Sequence, residues 1–172
     1  TLVNTAAGAT GSATATCNNG TWSLSGATCT ANLSTPTSVS ATDGTLSGRI
    51  AVTWSPVNGA SGYDVQYRVQ GTGTWTTVTN VSSGWELTTS NESTYEFQVR
   101  AKNAVGTGSW SATETGYIAR SCPTQTLTWG SSNQCQAVAE SAAGGTTRSL
   151  TNTALNFQGS ARATCNGVTA SW

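Results

Sequence analysis

The sequence predicts an all-β protein built from packed sheets. The clearest stretch is residues 95–103, in which Tyr95, Phe97, Val99 and Ala101 alternate with polar or charged side chains. Strict period-two alternation is typical of a strand with one buried face, and such a strand needs a second sheet to pack against. Composition agrees, because seven Trp and four Tyr stand among alternating patterns while Ser, Thr and Gly supply surfaces and turns.

Charge argues against several classes of partner. Lys plus Arg number 7 and Asp plus Glu number 7, so the formal net charge is zero. This balance gives no electrostatic attraction to nucleic acid, to an acidic membrane or to a charged substrate. The sequence has no apolar run long enough to span a bilayer, so no membrane insertion is predicted for this segment. Methionine is absent and the chain starts at Thr1 inside a strand-like pattern, which indicates a mature or excised piece.

The cysteines divide the chain into three segments. Residues 1–33 carry two cysteines, residues 34–119 carry none, and residues 120–172 carry three. The five are Cys17, Cys29, Cys122, Cys135 and Cys165. Because no CxxC pair occurs, disulfides are favoured over a metal site, and an extracellular or cell-surface location is predicted.

The middle segment is predicted to contain seven strands at the close spacing of a β-sandwich. Pro36 suits an extended entry into the first strand, and residues 119–121 mark the other boundary. The predicted strands are residues 37–41, 49–54, 63–69, 75–79, 84–88, 95–103 and 109–118. Apolar side chains share one face of the second and third strands, as they do of the sixth.

A set of spaced residues in this segment points to a known domain type. The set comprises Pro36, Trp54, Tyr63, Asp64, Val65, Gln66, Tyr67, Leu87, residues 95–103, Gly106, Gly108, Trp110 and Ser111. Together they resemble a fibronectin type III domain. The resemblance implies a seven-stranded sandwich in which Tyr95 has a structural role, its hydroxyl closing a corner. Residues 90–94, where the family often has a proline, hold Ser and Asn that bond their own backbone.

The two ends of the chain repeat each other. An offset of 148 residues places Cys17 on Cys165, and ten of seventeen aligned positions are identical. The identical positions are Leu2, Asn4, Thr5, Ala6, Gly11, Ser12, Ala13, Ala15, Thr16 and Cys17, matching Leu150, Asn152, Thr153, Ala154, Gly159, Ser160, Ala161, Ala163, Thr164 and Cys165. With a two-residue gap, Trp22 matches Trp172. Residues 1–33 are therefore predicted to be the C-terminal half of a Cys module, and residues 120–172 the N-terminal part of the next.

A complete module would carry four cysteines, with a Trp between the third and the fourth. This pattern resembles the sushi (complement control) module, although the first two cysteines lie close together for that family. It is also similar to modules found between fibronectin-like domains in large secreted or surface-bound bacterial repeat proteins. The repeat length implies an array in which Cys modules alternate with fibronectin-like domains.

Two disulfide schemes remain open from the sequence. The sushi resemblance implies that the first cysteine joins the third, Cys122 to Cys165, and that Cys135 joins the fourth of a complete module. A sequential scheme instead pairs Cys122 with Cys135, and Cys17 with Cys29. Under either scheme, residues 1–31 and 122–172 belong to modules that another repeat or another copy of the chain completes.

No catalytic chemistry is predicted. The chain has no His, which removes the usual general base and the commonest metal ligand. Two carboxylates of a glycosidase must converge across a cleft, whereas Asp64 and Glu96 are predicted on outward strand faces as cross-strand partners of Arg68 or Arg100. No enzyme activity, cofactor or metal site is therefore expected.

Two kinds of surface feature are candidates for contact or modification. Trp75 and Trp85, together with Trp110, are candidates for an aromatic platform that stacks on sugar rings, but the structural interpretation is favoured, in which Trp75 and Trp85 cover sheet edges and Trp110 packs on the last strand. Asn-x-Ser/Thr sequons for N-glycosylation begin at Asn19, Asn32, Asn80 and Asn91.

These features favour a non-catalytic extracellular structural repeat protein, either a spacer or a filament subunit of a cell-surface assembly. Its predicted partners are other copies of itself or adjacent repeats. One alternative is an accessory carbohydrate-binding or spacer region of a secreted polysaccharide-degrading enzyme. A second alternative is an adhesin that contacts a host surface protein.

Overall fold

The computed structural model describes residues 1–130, 133, 135–142, 144–151, 153, 159–166, 169 and 171–172. The predicted all-β class is confirmed. The strands are β1 (Leu2–Val3), β2 (Ala9–Thr10), β3 (Ser12–Asn18), β4 (Thr21–Ser25), β5 (Thr30–Ala31), β6 (Ser40–Ala41), β7 (Arg49–Thr53), β8 (Gly62–Val69), β9 (Thr76–Val81), β10 (Trp85–Thr88), β11 (Tyr95–Lys102), β12 (Glu114–Gly116), β13 (Gln125–Trp129), β14 (Cys135–Ala139), β15 (Thr147–Thr151) and β16 (Ser160–Thr164).

The chain divides into two compact units. The first unit comprises Thr1–Ala41, Ala51–Glu86 and Tyr95–Thr115. The second unit comprises Thr42–Ile50, Leu87–Thr94 and Gly116–Trp172. The repeated ends of the sequence thus belong to different units.

Strand β11 is the centre of a four-stranded sheet in the order β12-β11-β8-β9. It pairs antiparallel with β8 along its whole length, from Tyr95↔Val69 to Lys102↔Gly62. Its buried side chains are those that the alternation predicted, since Phe97 and Val99 are fully buried and Tyr95 nearly so. A three-stranded sheet follows the order β10-β7-β6.

Two strands are much shorter than predicted, the first because of its backbone conformation and the last because of a side-chain contact. The first was expected over residues 37–41, but β6 is only Ser40–Ala41 because Ser38 has a φ of 53°, which does not fit an extended strand. The last was expected over residues 109–118, but β12 is only Glu114–Gly116. In the segment that precedes β12, the Ser111 hydroxyl accepts the Val99 N–H at 3.0 Å. A side chain thus takes the place of the backbone carbonyl that would bond β11 in a regular sheet.

Residues 1–33, which we call the N-terminal module, form a three-stranded sheet, β1-β3-β4, and a short β2-β5 pair. Strands β3 and β4 are joined by Asn19 and Gly20, whose φ values of 49° and 79° are typical of a tight type I′ hairpin turn. Asn19-Gly20 is the dipeptide that favours this turn, so the hairpin follows from local sequence.

In the described part of the C-terminal module (residues 120–172), the strands form two antiparallel hairpins, β13-β14 and β15-β16. Ala137, Ala139 and Leu150 form its buried cluster, which connects β14 to β15. The partly buried side chains around the cluster are Leu127, Trp129, Ala163 and Trp172. The repeated positions Asn152 and Ala154 lie outside the described residues.

Candidate functional site

Charged side chains form a cross-strand ladder on the outward face of β8 and β11. Arg68 donates to Glu96 at 2.6 Å, and Arg100 donates to Asp64 at 3.0 Å, in agreement with the predicted pairing. The Lys102 ammonium lies 3.3 Å from the other Asp64 oxygen. The ladder therefore consists of ion pairs between neighbouring strands rather than of two carboxylates facing each other across a cleft.

Asp64 lies on the predicted outward face, but it is buried there rather than exposed to solvent. Its side chain is only 2% exposed, because Arg100 and Lys102 cover both carboxylate oxygens. Trp110 covers the outer side of the pair, with the Arg100 guanidinium 4.4 Å from its ring centroid. A buried carboxylate with two cations is a structural contact whose disruption would be costly.

The tryptophans considered for glycan contact are partly buried and engaged with neighbours. The Arg68 guanidinium lies 4.3 Å from the centroid of Trp75, so one face of that ring carries a cation–π contact. Trp85 lies against Tyr67 with ring centroids 5.9 Å apart. Sugar stacking on Trp75 or Trp85 stays a prediction.

All four sequon asparagines are exposed. Asn19 and Asn80 have positive φ, and Asn91 accepts the Ser93 N–H at 2.9 Å in a local turn. Asn32 donates its backbone N–H to the Gly8 carbonyl. Their exposure is compatible with glycosylation, which also stays a prediction.

One disulfide joins the start of the C-terminal module to its end. Cys122 and Cys165 are bonded, with their Cα atoms 5.7 Å apart. This is the pairing that the sushi resemblance implies and not that of the sequential scheme. Cys17 and Cys29 are exposed thiols and Cys135 is a buried one.

The repeated sequences form the same hairpin in the two modules. In the N-terminal module Leu2 pairs with Ala13 and Val3 with Ser12. At the offset of 148 residues these pairs become Leu150↔Ala161 and Thr151↔Ser160, which are the pairs observed between β15 and β16. The repeat in sequence is thus accompanied by the same strand register at these two pairs of positions.

The match between the two modules continues beyond the shared cysteine, Cys17 in one and Cys165 in the other. Strand β3 pairs with β4 through Asn18↔Thr21. In the C-terminal module the bridge Asn166↔Ser171 occupies the corresponding place, with two more residues between the paired positions in the sequence. Trp172 therefore stands where Trp22 stands in the first module.

Burial differs sharply between these equivalent positions. Leu150 is 6% exposed, whereas Leu2 is 55% exposed. Val3, Trp22 and Leu24 extend the exposed apolar surface of the N-terminal module. A groove of about 220 Å³ lies within this surface. We call it the N-terminal groove, and it is lined by Leu2, Val3, Asn4, Gly11, Ser12, Ala13, Ala27, Thr28 and Cys29.

Metal-ligand clusters and membrane-spanning helices are both absent from the described part of the chain. Among its residues, no group of three or more His, Cys, Asp or Glu side chains is placed to hold a metal ion. The same residues include no helix long and apolar enough to cross a membrane. The N-terminal groove and the free thiols are the features that invite a functional explanation.

The strand order and the alternating buried faces define the middle segment as a β-sandwich domain. Residues 34–117 match the family model described as Fibronectin type III domain, so this segment is a fibronectin type III domain. The resemblance stated from the sequence is confirmed for this part of the chain. No curated protein matches the chain.

Several solved structures are similar to the chain. A Fn3-like protein from Clostridium thermocellum shares 25% identity over 48% of this chain and 90% of that chain, with a TM-score of 0.41. The structure of FN3tt shares 18% identity over 51% and 96%, with a TM-score of 0.44. The chicken CNTN1 FN1-FN3 domains share 16% identity over 83% and 56%, with a TM-score of 0.45.

Sequence reasoning missed the N-terminal groove. It aligned Leu2 with Leu150 but predicted nothing about the burial of either side chain. A signal was nevertheless present, because residues 1–33 contain no counterpart of β13 and β14, the strands that lie beside Leu150 in the other module.

Proposed function

We propose that the protein is a non-catalytic, extracellular structural repeat protein, a spacer or filament subunit of a cell-surface assembly. In this proposal Cys modules alternate with fibronectin type III domains, and each module is completed by the neighbouring repeat. The observation that carries the proposal is the pair of hairpins with identical register, 148 residues apart, on either side of the fibronectin type III domain. Repetition of one module around a β-sandwich is typical of a modular array.

The extracellular assignment is supported by the chemistry of the modules. A disulfide is stable in an oxidising compartment, and fibronectin type III domains are common spacers in extracellular proteins. Few charges and many Ser and Thr side chains suit a neutral surface. We further propose a sushi-like module, in which Cys122–Cys165 is the bond between first and third cysteines.

Contacts at the N-terminal junction support a stiff connection. The Asn103 side-chain amide donates to the carbonyls of Gly8 and Gly59, at 2.9 and 3.2 Å. Gly8 and Gly59 approach so closely that a Cβ on Gly59 would stand 2.4 Å from the Gly8 nitrogen. Leu33 is buried with Val57 and Ala101 next to this contact. Direct backbone packing of this kind opposes bending between the module and the domain.

The C-terminal junction is also held by direct contacts. Glu92 accepts hydrogen bonds from both the backbone N–H and the hydroxyl of Ser121, at 3.0 and 2.9 Å. Arg120 lies 4.2 Å from the Tyr117 ring centroid and donates to the Glu92 carbonyl. These bonds fix the residues that lead into Cys122, which suits a spacer better than a flexible tether.

The test is to join three copies at the natural period of 148 residues and to measure their dimensions by small-angle X-ray scattering. A stiff spacer predicts that the maximum dimension increases by a constant amount with each copy. A matched array in which Ser121 is followed by a Gly-Ser linker should scatter as a more flexible chain. An unmodified array that scatters as a flexible or collapsed chain would contradict the proposal.

The mass of the native polypeptide separates the two forms of the proposal. A mass several times that of the 17.5 kDa chain is expected for an array within one polypeptide. A native polypeptide of this length would instead leave the filament-subunit form, in which separate copies complete one another.

A further inference from the structure

In the C-terminal module, the hairpin face that corresponds to the N-terminal groove is covered by β14. We propose that a β-hairpin of the β13-β14 type, supplied by the neighbouring repeat on the N-terminal side, docks in the N-terminal groove. The inference rests on the proposed array, and it adds the docking surface, the occupant and the two disulfides that fix it.

The C-terminal module shows what covers this surface. Leu150 on β15 is buried by Ala137 and Ala139, two small residues on the inner face of β14. Leu2 occupies the same place in an identically paired hairpin, yet more than half of its surface is exposed. A strand like β14, with small apolar residues equivalent to Ala137 and Ala139, would cover Leu2 as β14 covers Leu150.

A glycine shared by the two modules places the second cysteine of the hairpin. Gly11 and Gly159 are equivalent at the offset of 148 residues. A Cβ on Gly11 would stand 3.0 Å from the Cys29 Cα, and one on Gly159 would stand 3.3 Å from the Cys135 sulfur. Cys29 and a Cys135 equivalent would therefore flank one glycine in a complete module, within the reach of a disulfide.

Two further contacts place the start of the hairpin. Cys165 is bonded to Cys122, and Cys17 is the equivalent of Cys165 in the N-terminal module. Cys17 would therefore bond to the first cysteine of the docked hairpin. The Trp172 indole donates to the Pro123 carbonyl at 2.8 Å, immediately after that cysteine. Trp22 is equivalent to Trp172 but is 69% exposed, and the docked hairpin would supply the same carbonyl.

Both disulfides form by oxidation of thiols. In each case two thiols lose two protons and two electrons to a disulfide oxidant such as glutathione disulfide, and one sulfur–sulfur bond forms. By the same argument, Cys135 of this chain pairs with the Cys29 equivalent of the following repeat. Cys17, Cys29 and Cys135 are thus accounted for by one arrangement.

The experiment adds the missing hairpin to the full chain. Because Thr1 corresponds to Ser149, a copy of residues 120–148 is fused directly in front of Thr1, and the protein is oxidised with glutathione disulfide. Mass spectrometry of proteolytic peptides is expected to find the two added cysteines joined to Cys17 and Cys29 respectively. Amide exchange at Leu2 and Ala13 is expected to slow by at least about tenfold relative to the unextended chain.

A matched control separates apolar docking from covalent capture. Replacing both added cysteines by Ser should keep most of the protection at Leu2, because the apolar face still docks. Combining this control with Leu2→Asp should abolish the protection. Exchange at Phe97 in the middle domain, measured in every variant, shows that the chain is folded.

Three results would overturn the inference. The first is an extension that stays sensitive to protease while Cys17 and Cys29 remain free. The second is pairing of the added cysteines with each other. The third is an unextended chain that dimerises through a Cys29–Cys135 disulfide, since the occupant would then be a second copy. A native polypeptide without repeats would contradict the proposed array but not the docking measured in the fusion.

Discussion

The N-terminal and C-terminal modules contain the same hairpin in opposite states of burial. In the first, Leu2 on β1 is exposed beside an open groove, and the nearest cysteines are free thiols. In the second, Leu150 is buried and the equivalent cysteine is in a disulfide. The two pairs of positions that β1 and β3 share have the same register in β15 and β16.

This difference shows that the register of a hairpin and the burial of its apolar face have different causes. Alternation, the turn and the paired positions are local, and they produce the same register whether or not the apolar face is covered. Burial is not local, because it depends on β13 and β14, which only residues 120–172 contain. An exposed apolar face on an ordered hairpin is typical of a surface that binds a partner.

The largest contrast between the modules should come from their cysteines. Cys165→Ser removes a crosslink across a separation of 43 residues, which in the chain-entropy model is worth about 4 kcal/mol. Cys17→Ser at the equivalent position should change stability by less than about 0.5 kcal/mol, because Cys17 is exposed and free. Local opening free energies from hydrogen exchange would measure both, since a chain with several domains does not unfold in one step. Equal effects at the two cysteines would contradict the comparison.

Truncating the equivalent leucines should give the next largest contrast. Leu150→Ala removes a buried side chain and leaves a cavity beside Ala137, at a cost of about 3 kcal/mol. Leu2→Ala should cost less than about 0.5 kcal/mol, because its side chain is already in contact with water. Amide exchange in β15-β16 and in β1-β3 gives the two values. A similar cost at both leucines would show that the N-terminal groove is covered in solution.

The equivalent glycines should give the opposite contrast, because here the larger loss of stability is expected in the N-terminal module. A Cβ on Gly11 would stand 2.0 Å from the Thr28 carbonyl oxygen, so Gly11→Ala must displace backbone and should cost about 2 kcal/mol. On Gly159 the nearest atom is the Cys135 sulfur at 3.3 Å, a side chain that can adjust, and Gly159→Ala should cost less than about 1 kcal/mol. Exchange at the Ser12 and Ser160 amides compares them. A larger cost at Gly159 would mean that the Thr28 backbone is not held against β3 as the structure has it.

The middle domain was predictable from the sequence because its signals are local and periodic. Alternation placed Phe97 and Val99 in the core, and spaced motifs gave the fibronectin type III family. Strand ends were less predictable, since the positive φ of Ser38 and the hydroxyl contact of Ser111 depend on tertiary structure. The burial of Asp64 likewise depends on side chains of another strand.

The candidate site was predictable only in part. The offset of 148 residues identified the repeated hairpin and the equivalence of Cys17 with Cys165. The sequence did not choose between two disulfide schemes, because spacing does not determine which sulfurs meet. The N-terminal groove was not predictable either, since it forms where residues 2–4, 11–13 and 27–29 come together in the fold and not at a sequence motif.

The smallest expected effect concerns what holds the N-terminal module in place. With its apolar face open, this module depends on the fibronectin type III domain, where Asn103 bonds the carbonyls of Gly8 and Gly59. Asn103→Ala should lower the local stability of residues 1–33 by about 1 kcal/mol, and leave residues 122–172 unchanged. Hydrogen exchange resolved by peptide would show this as faster exchange in β2 and β5.

The matched control is Asn91→Ala, which removes an asparagine of a local exposed turn. It should leave exchange in residues 1–33 unchanged, because Asn91 makes its side-chain bond within its own turn. If Asn103→Ala also left these residues unchanged, the N-terminal module would draw its stability from its own strand pairing. The difference between the modules would then be one of burial alone, and the stiffness proposed for the junction would lose its main contact.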